Sequence, residues 1–128
     1  MEDELYFGKY IRQKRLEKHT PALDIARYLG ISNPHWCDIE KGRRKPPELE
    51  KLEELAQFLN LTSEERATML DLAGKYSGQP AEDISQWIMA VPGLSAALRT
   101  AKENKLEDGD DWNEIVNEMI RRRNLKEK

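Results

Sequence analysis

Ten basic residues stand between Phe7 and Lys45: Lys9, Arg12, Lys14, Arg15, Lys18, Arg27, Lys41, Arg43, Arg44 and Lys45. Four acids accompany them, Glu17, Asp24, Asp38 and Glu40, so the stretch carries +6 in a chain whose net charge is −3. A cationic stretch on an otherwise acidic chain is the footprint of a surface that meets phosphate while the remainder keeps the protein soluble. Other chemistry has less support. His35 and Cys37 are two apart, so on a helix they point in different directions, and no second Cys-His cluster supplies zinc-ligand spacing. Cys37 has no cysteine partner and reads as a small packing residue. Glu107-Asp108-Gly109-Asp110-Asp111 has its glycine misplaced for a calcium loop, and a turn with a helix cap accounts for it. Neither a Ser-His-acid grouping nor a Gly-rich phosphate loop is present. These observations predict a protein that is not an enzyme and that uses no cofactor or metal.

The elements that must position those cations read as helices throughout. β-branched residues are scarce and no segment alternates apolar and polar residues over a strand's length. A first helix is expected from about Leu5 to Lys18, burying Phe7, Ile11 and Leu16. Thr20 is expected to cap a second helix with Pro21 at its first position. Ile25, Ala26 and Leu29 form its apolar stripe, and Gly30 ends it by adopting a left-handed conformation. Ser32 caps a third helix with Trp36 and Ile39 inward and Gly42 at its end. Small or polar residues (Asn33, Pro34, His35, Cys37, Asp38) lie on its outer side. Helix, tight turn and capped helix together form an arrangement that can present one helix to a DNA major groove.

Arg43-Arg44-Lys45 leads through Pro46-Pro47 into a fourth helix with Leu49, Leu52, Leu55, Ala56 and Leu59 at helical spacing. Thr62 and Glu65 form a capping-box pattern for a fifth helix to about Ala73. The stretch from Gly74 to Pro80 is the linker candidate. Three short helices follow: Ala81 to Ala90, Leu94 to Asn104, and a last one capped by Asp111 with Glu114. Ile84, Trp87, Ile88, Met89, Leu98 and Trp112 are expected to close a small helical core, with a partner surface or a dimer seam as the alternatives. The termini are acidic (Glu2, Asp3, Glu4) and basic (Arg121, Arg122, Arg123, Lys126, Lys128).

Residues 7 to 61 resemble the Cro/repressor-type helix-turn-helix family, the XRE family. The resemblance rests on Ile11-Arg12 and Arg15, Ile25-Ala26, Leu29-Gly30-Ile31-Ser32 and Ile39-Glu40-Lys41-Gly42-Arg43-Arg44. Pro46-Pro47 and the leucines of the fourth helix complete it. It implies an all-α fold: a five-helix lambda-repressor-like DNA-binding domain over 1–75, then a C-terminal helical extension over 76–128 for dimerisation, bracing or partner binding. It places Asn33, Pro34 and Asp38 against base edges, where Asn suits adenine and Asp suits a cytosine amino group. Arg12, Ser32, His35, Arg43, Arg44 and Lys45 are placed for phosphates. Arg15 and Glu40 are implied to form an internal ion pair. The chain departs from the family at Ala22, where Gln is usual, at the apolar Leu23, and at Pro34 and Asp38.

The expected function is that of a transcriptional regulator, a repressor, whose third helix reads a pseudo-palindromic operator of double-stranded DNA as a homodimer. The alternative is a HigA-type antitoxin, or a partner of a regulatory peptidase, using the C-terminal helices or the acidic flank Glu48, Glu50, Glu53 and Glu54. Charged residues are 35% and hydrophobic ones 38%. With no apolar run near the ~18 residues of a membrane helix and a single cysteine, the expected location is cytoplasmic.

Overall fold

The computed structural model describes residues 4–127. The terminal residues Glu2, Asp3 and Lys128 lie outside them. Among the described residues there are eight helices and no strand: α1 (Phe7–Glu17), α2 (Ala22–Leu29), α3 (Asn33–Glu40), α4 (Leu49–Phe58), α5 (Ser63–Tyr76), α6 (Glu82–Ala90), α7 (Leu94–Glu103) and α8 (Gly109–Lys126). The all-helical expectation therefore holds.

The chain divides into two compact units, one through Trp87 and one from Ile88. The first is built around an apolar core in which α3 packs on α1 and α2, α5 packs on α1, and α4 packs on α2 and α5. Phe7, Ile11, Ile25, Leu29, Trp36, Leu55, Leu59, Met69 and Leu70 are almost wholly buried there. Leu16, expected inside, is 49% exposed, because it lies off the face defined by Phe7 and Ile11.

Short helices need firm ends, and this unit makes them with left-handed residues. Gly30 (φ 73°) turns the chain after α2, and the Ile31 N–H reaches back to the Ala26 carbonyl. Gly42 (φ 78°) does the same after α3, with Arg43 N–H on the Asp38 carbonyl. His19 and Asn60, both with positive φ, close α1 and α4. These are closures in which an N–H beyond the helix satisfies a carbonyl of its last turn. The closure of α1 explains a correction. Thr20 does not cap α2. Its N–H bonds the Arg15 carbonyl and its hydroxyl bonds the Lys18 carbonyl, while the extended Pro21 occupies the cap position without a side-chain bond.

The Thr62–Glu65 capping box forms in both directions. The expected linker does not: the Gln79 N–H returns to the Gly74 carbonyl, and Ala81 joins the core. A methyl group at Gly74 would lie 2.7 Å from the Gln79 carbonyl oxygen. Glycine and proline mark a tight return as readily as a linker, and here they mark the return, so α6 begins within the first unit.

In the second unit α8 is capped by Asp108, whose carboxylate accepts from the Asp110 and Asp111 N–H groups, and not by Asp111. The acid run offers several caps, and the earliest one gains an added turn. The expected small core is absent among the described residues from Ile88 onward, where only Ala101 is buried. Trp87, Met89 and Trp112 are 56%, 86% and 36% exposed. Within the second unit, α7 and α8, of ten and eighteen residues with one apolar stripe each, enclose too little volume.

One buried carboxylate joins α1 to α3. Glu40, 6% exposed, accepts from Arg15 Nε at 2.6 Å and from the second Arg15 nitrogen at 2.9 Å. It also accepts from the Trp36 indole N–H at 2.7 Å. The Glu40 hydrogen bond raises the Arg15 guanidinium pKa above its ordinary value. The third donor was not anticipated, although Trp36 and Glu40 stand one helical turn apart on one face. Gly8 permits the approach: a methyl group there would overlap the carbonyl oxygens of Ile39 and Glu40.

Two predictions follow from these contacts. Arg15→Met should lower unfolding stability in urea by about 3 kcal/mol, because it strands a buried charge, while Arg15→Met with Glu40→Gln should cost less. Equal losses would show that the pair is not coupled. Glu53, held by Arg66, and Glu65, held by the Thr62 N–H and then Lys14, both have carboxyl pKa values below the ordinary range. A depressed folded pKa stabilises the fold above the unfolded value, about pH 4.3, and that share is lost as pH falls through the folded value. Acid titration of unfolding should therefore show a stability loss beginning below that pH, reduced by about 0.5 kcal/mol each in Glu53→Gln and Glu65→Gln after solvent screening.

Candidate nucleic-acid interface

The outer side of α3 is built from its cap downward. The Ser32 hydroxyl accepts from the His35 N–H at 3.2 Å, and Pro34 sits in the first turn where a missing N–H costs nothing. Ser32, Asn33 and Pro34 are exposed, and Cys37 and Asp38 are half-buried, while Trp36, Ile39 and Glu40 face inward. Asn33 with Cys37, and Pro34 with Asp38, are one turn apart, so they form two adjacent ridges. The Cys37 thiol donates to Asn33 Oδ1 at 4.0 Å, one turn away on the same side of α3.

The left-handed turn at Gly42 folds the basic run back beside this surface. Arg44 Nε approaches Asp38 Oδ2 at 3.9 Å, with both side chains substantially exposed. At that distance and exposure the pair is weak, and Arg44 is free to re-orient toward an anion. Arg43 and Lys45 are exposed alongside, and Arg12 is exposed on α1. The hydroxyl of Ser32 is spent on the cap, so its contribution to an anion would come with that bond in place. His35 is half-buried and lines a cavity of about 530 Å³ with Ile31, Ile39, Lys45, Pro46 and Pro47. Ala22 packs against the core at the start of α2, and Leu23 is exposed beside it.

Two of the ten cations are spent inside the protein. Arg15 holds Glu40, and Lys14 bonds both Glu17 and Glu65, the latter raising its pKa. Lys18 reaches the Asn60 carbonyl at 3.4 Å, and Lys51, outside the basic stretch, holds the Leu29 carbonyl at 2.9 Å, where a cation suits the end of α2. Besides Lys18, the exposed cations of the stretch are Arg12, Arg27, Lys41, Arg43, Arg44 and Lys45. The Cys37–Asn33 contact had a signal in the sequence, the four-residue spacing. The Asp38–Arg44 approach had none, since it depends on the hand of the turn at Gly42. Among the described residues no three His, Cys, Asp or Glu side chains are grouped to hold a metal ion, and no helix is long and apolar enough to cross a membrane.

No family model and no solved structure matches the chain. Over 57 residues, 44% of this chain and 40% of theirs, it is 33% identical to two proteins of Mycobacterium tuberculosis strains named as uncharacterized HTH-type transcriptional regulators. Over 54 residues, 42% of this chain and 59% of the relative, it is 39% identical to the ImmF control region 10 kDa protein of Bacillus phage phi105. The chain thus spans about half the length of the curated relatives it matches, and what it shares with them is a segment the size of a helix-turn-helix domain.

Proposed function

We propose that the chain is a sequence-specific DNA-binding transcriptional regulator of the Cro/repressor type, acting as a repressor, with α3 entering the major groove. One observation carries this reading. A capped helix with a polar outer side is locked from behind by Glu40 and is followed at once by the exposed run Arg43-Arg44-Lys45. A surface that reads bases needs a rigid helix with small polar groups outward, and cations at its border to hold register on the phosphates. The relatives named as HTH-type regulators support the same reading. Asn33 supplies the base-edge donor, with Pro34 and Asp38 beside it. Arg12, Arg43, Arg44 and Lys45 supply phosphate contacts, assisted by Ser32 and His35. A two-fold dimer would place two α3 helices in half-sites about one helical turn apart on a pseudo-palindromic operator. Repression would follow from occlusion of the polymerase site.

A protein-partner reading, an antitoxin or a peptidase-bound regulator, draws on an acidic hollow lined by Glu48, Glu50, Glu53, Glu54 and Glu82. Its acids are partly engaged already: Glu53 clamps Arg66 through two bonds of 2.5 Å, and Glu82 accepts from the Leu49 N–H. That leaves less free charge for a basic partner than the sequence implied, so the DNA reading is preferred.

Selection of binding sites from random double-stranded oligonucleotides tests the proposal, and failure to enrich any site would overturn it. With a selected site in hand, Arg43→Ala with Arg44→Ala should reduce the slope of log affinity against log salt by about two and weaken all sequences alike. An unchanged slope would remove both from the phosphate contacts. Asn33→Ala should cost about 1–3 kcal/mol of discrimination at one or two base positions, read as relaxed selection there.

A further inference from the structure

The second unit exposes an apolar stripe that its own helices leave uncovered. Along α8, Trp112, Ile115, Val116, Met119 and Ile120 are 36%, 55%, 49%, 63% and 52% exposed. At about 100° per residue these five fall within roughly 140° of the helix circumference, so they form one continuous face. The stripe runs into a groove of about 620 Å³ floored by Ala97 and Ala101 and walled by Leu106, Trp112 and Ile115. The Trp112 indole is held as a fixed wall, because its N–H donates to the Leu106 carbonyl at 2.6 Å. A face of this kind marks an interaction site.

The charges bordering the stripe say what covers it. The first turn of α8 and the residues before it are acidic (Glu107, Asp108, Asp110, Asp111), and the last turns are basic (Arg121, Arg122, Arg123, Lys126). Asp111 and Arg122 lie along the same edge of the stripe, three turns apart. Two copies of α8 laid parallel would set acid on acid and base on base. Laid antiparallel about a two-fold axis near Asn117, the same edges face each other with opposite signs: Asp111 meets Arg122 of the second copy, and Asp108 meets its Lys126. The same register brings Ile115 opposite the second copy's Met119 and sets its Ile120 against Trp112 at the groove. Arg121 and Arg122 now pair with Glu118, and Arg123 with Glu127, at side-chain exposures of 63–80% for the arginines. Such exposed pairs are weak and exchange readily for new ones.

We infer that α8 is the self-association surface of this protein, pairing antiparallel with α8 of a second copy. The inference deepens the two-fold dimer of the proposed function and rests on that reading for its role, but its test uses no DNA. Sedimentation equilibrium of the full chain, from micromolar concentrations to about 0.1 mM, should give a species of twice the 14.9 kDa chain mass. Ile115→Asp with Met119→Asp should raise the dissociation constant at least about tenfold. Asp111→Arg and Arg122→Asp should each shift the protein toward monomer, with helicity followed by circular dichroism. An equimolar mixture of the two variants should restore the dimer, as should the two changes combined in one chain. That pattern is specific to the antiparallel arrangement, because in a parallel pair either single reversal would lessen the like-charge repulsion at its end and would not favour the monomer. A monomer throughout the concentration range would overturn the inference, whether or not a different protein is found on the face. A dimer untouched by the apolar and charge changes would equally overturn it. DNA binding by a monomeric protein would remove the surface and leave the reading of α3 standing.

Discussion

A carboxylate taken out of water is stable only when its oxygens are satisfied, and Glu40 meets that condition with three donors from two side chains. The arrangement constrains geometry more than it adds stability. Arg15 spans from α1, Trp36 from the previous turn of α3, and neither can rotate away without stranding the charge. The azimuth of α3 is thereby set: Glu40 and Trp36 inward put Asn33, Pro34, Cys37 and Asp38 outward. Everything proposed for the outer surface depends on that rotation. Gly8 supplies the matching constraint on distance, since only a residue without a side chain lets the backbone of α1 approach the last carbonyls of α3. One interaction fixes orientation and the other fixes separation.

Helix ends do comparable work around this lock. An eight-residue α2 and an eight-residue α3 have more terminal groups than internal hydrogen bonds, so their stability comes from closures and packing. Gly30 and Gly42 bracket α3 with left-handed turns, and Ser32 caps its start. The second of these turns also has an electrostatic result. By reversing the chain, Gly42 brings Arg44 to within 3.9 Å of Asp38, so the acid on the outer side of α3 is partly offset by that cation. An acid at the groove surface is then less repulsive to phosphate than its charge alone implies.

The legible parts of the fold were those with local causes. The capping box at Thr62 and Glu65, the glycine stops and the Ser32 cap are written in four-residue patterns. The inward positions of α2 and α3 follow from helical period alone. What escaped was competition between equally good local signals. Thr20 can cap a helix, but it is drawn into closing α1. Asp108 and Asp111 are both cap residues, and the earlier one wins. Gly74 to Pro80 spells linker or tight return, and only the burial of Ala81 decides between them. At the candidate site, the outward residues of α3 were legible from period and cap, and the Arg15–Glu40 pair from the family resemblance. The indole bond to Glu40 and the fold-back of Arg44 required the three-dimensional turn.

The two units differ in how they treat apolar surface, and the difference bears on function. In the first, large side chains from five helices and Ala81 meet in one interior, so the cations outside it are presented on a rigid body. In the second, amphipathic helices leave their stripes open, with Met119 63% exposed and Ile115 55% exposed. A helix whose apolar side stays open within its own unit gains most of its stability on association. In the proposed pairing of α8 with a second copy, the opposed charges at its two ends favour one orientation and penalise the other. The proposed reading of two-fold symmetric sites and the proposed antiparallel pairing of α8 are mutually consistent, since antiparallel pairing of identical helices generates a two-fold axis.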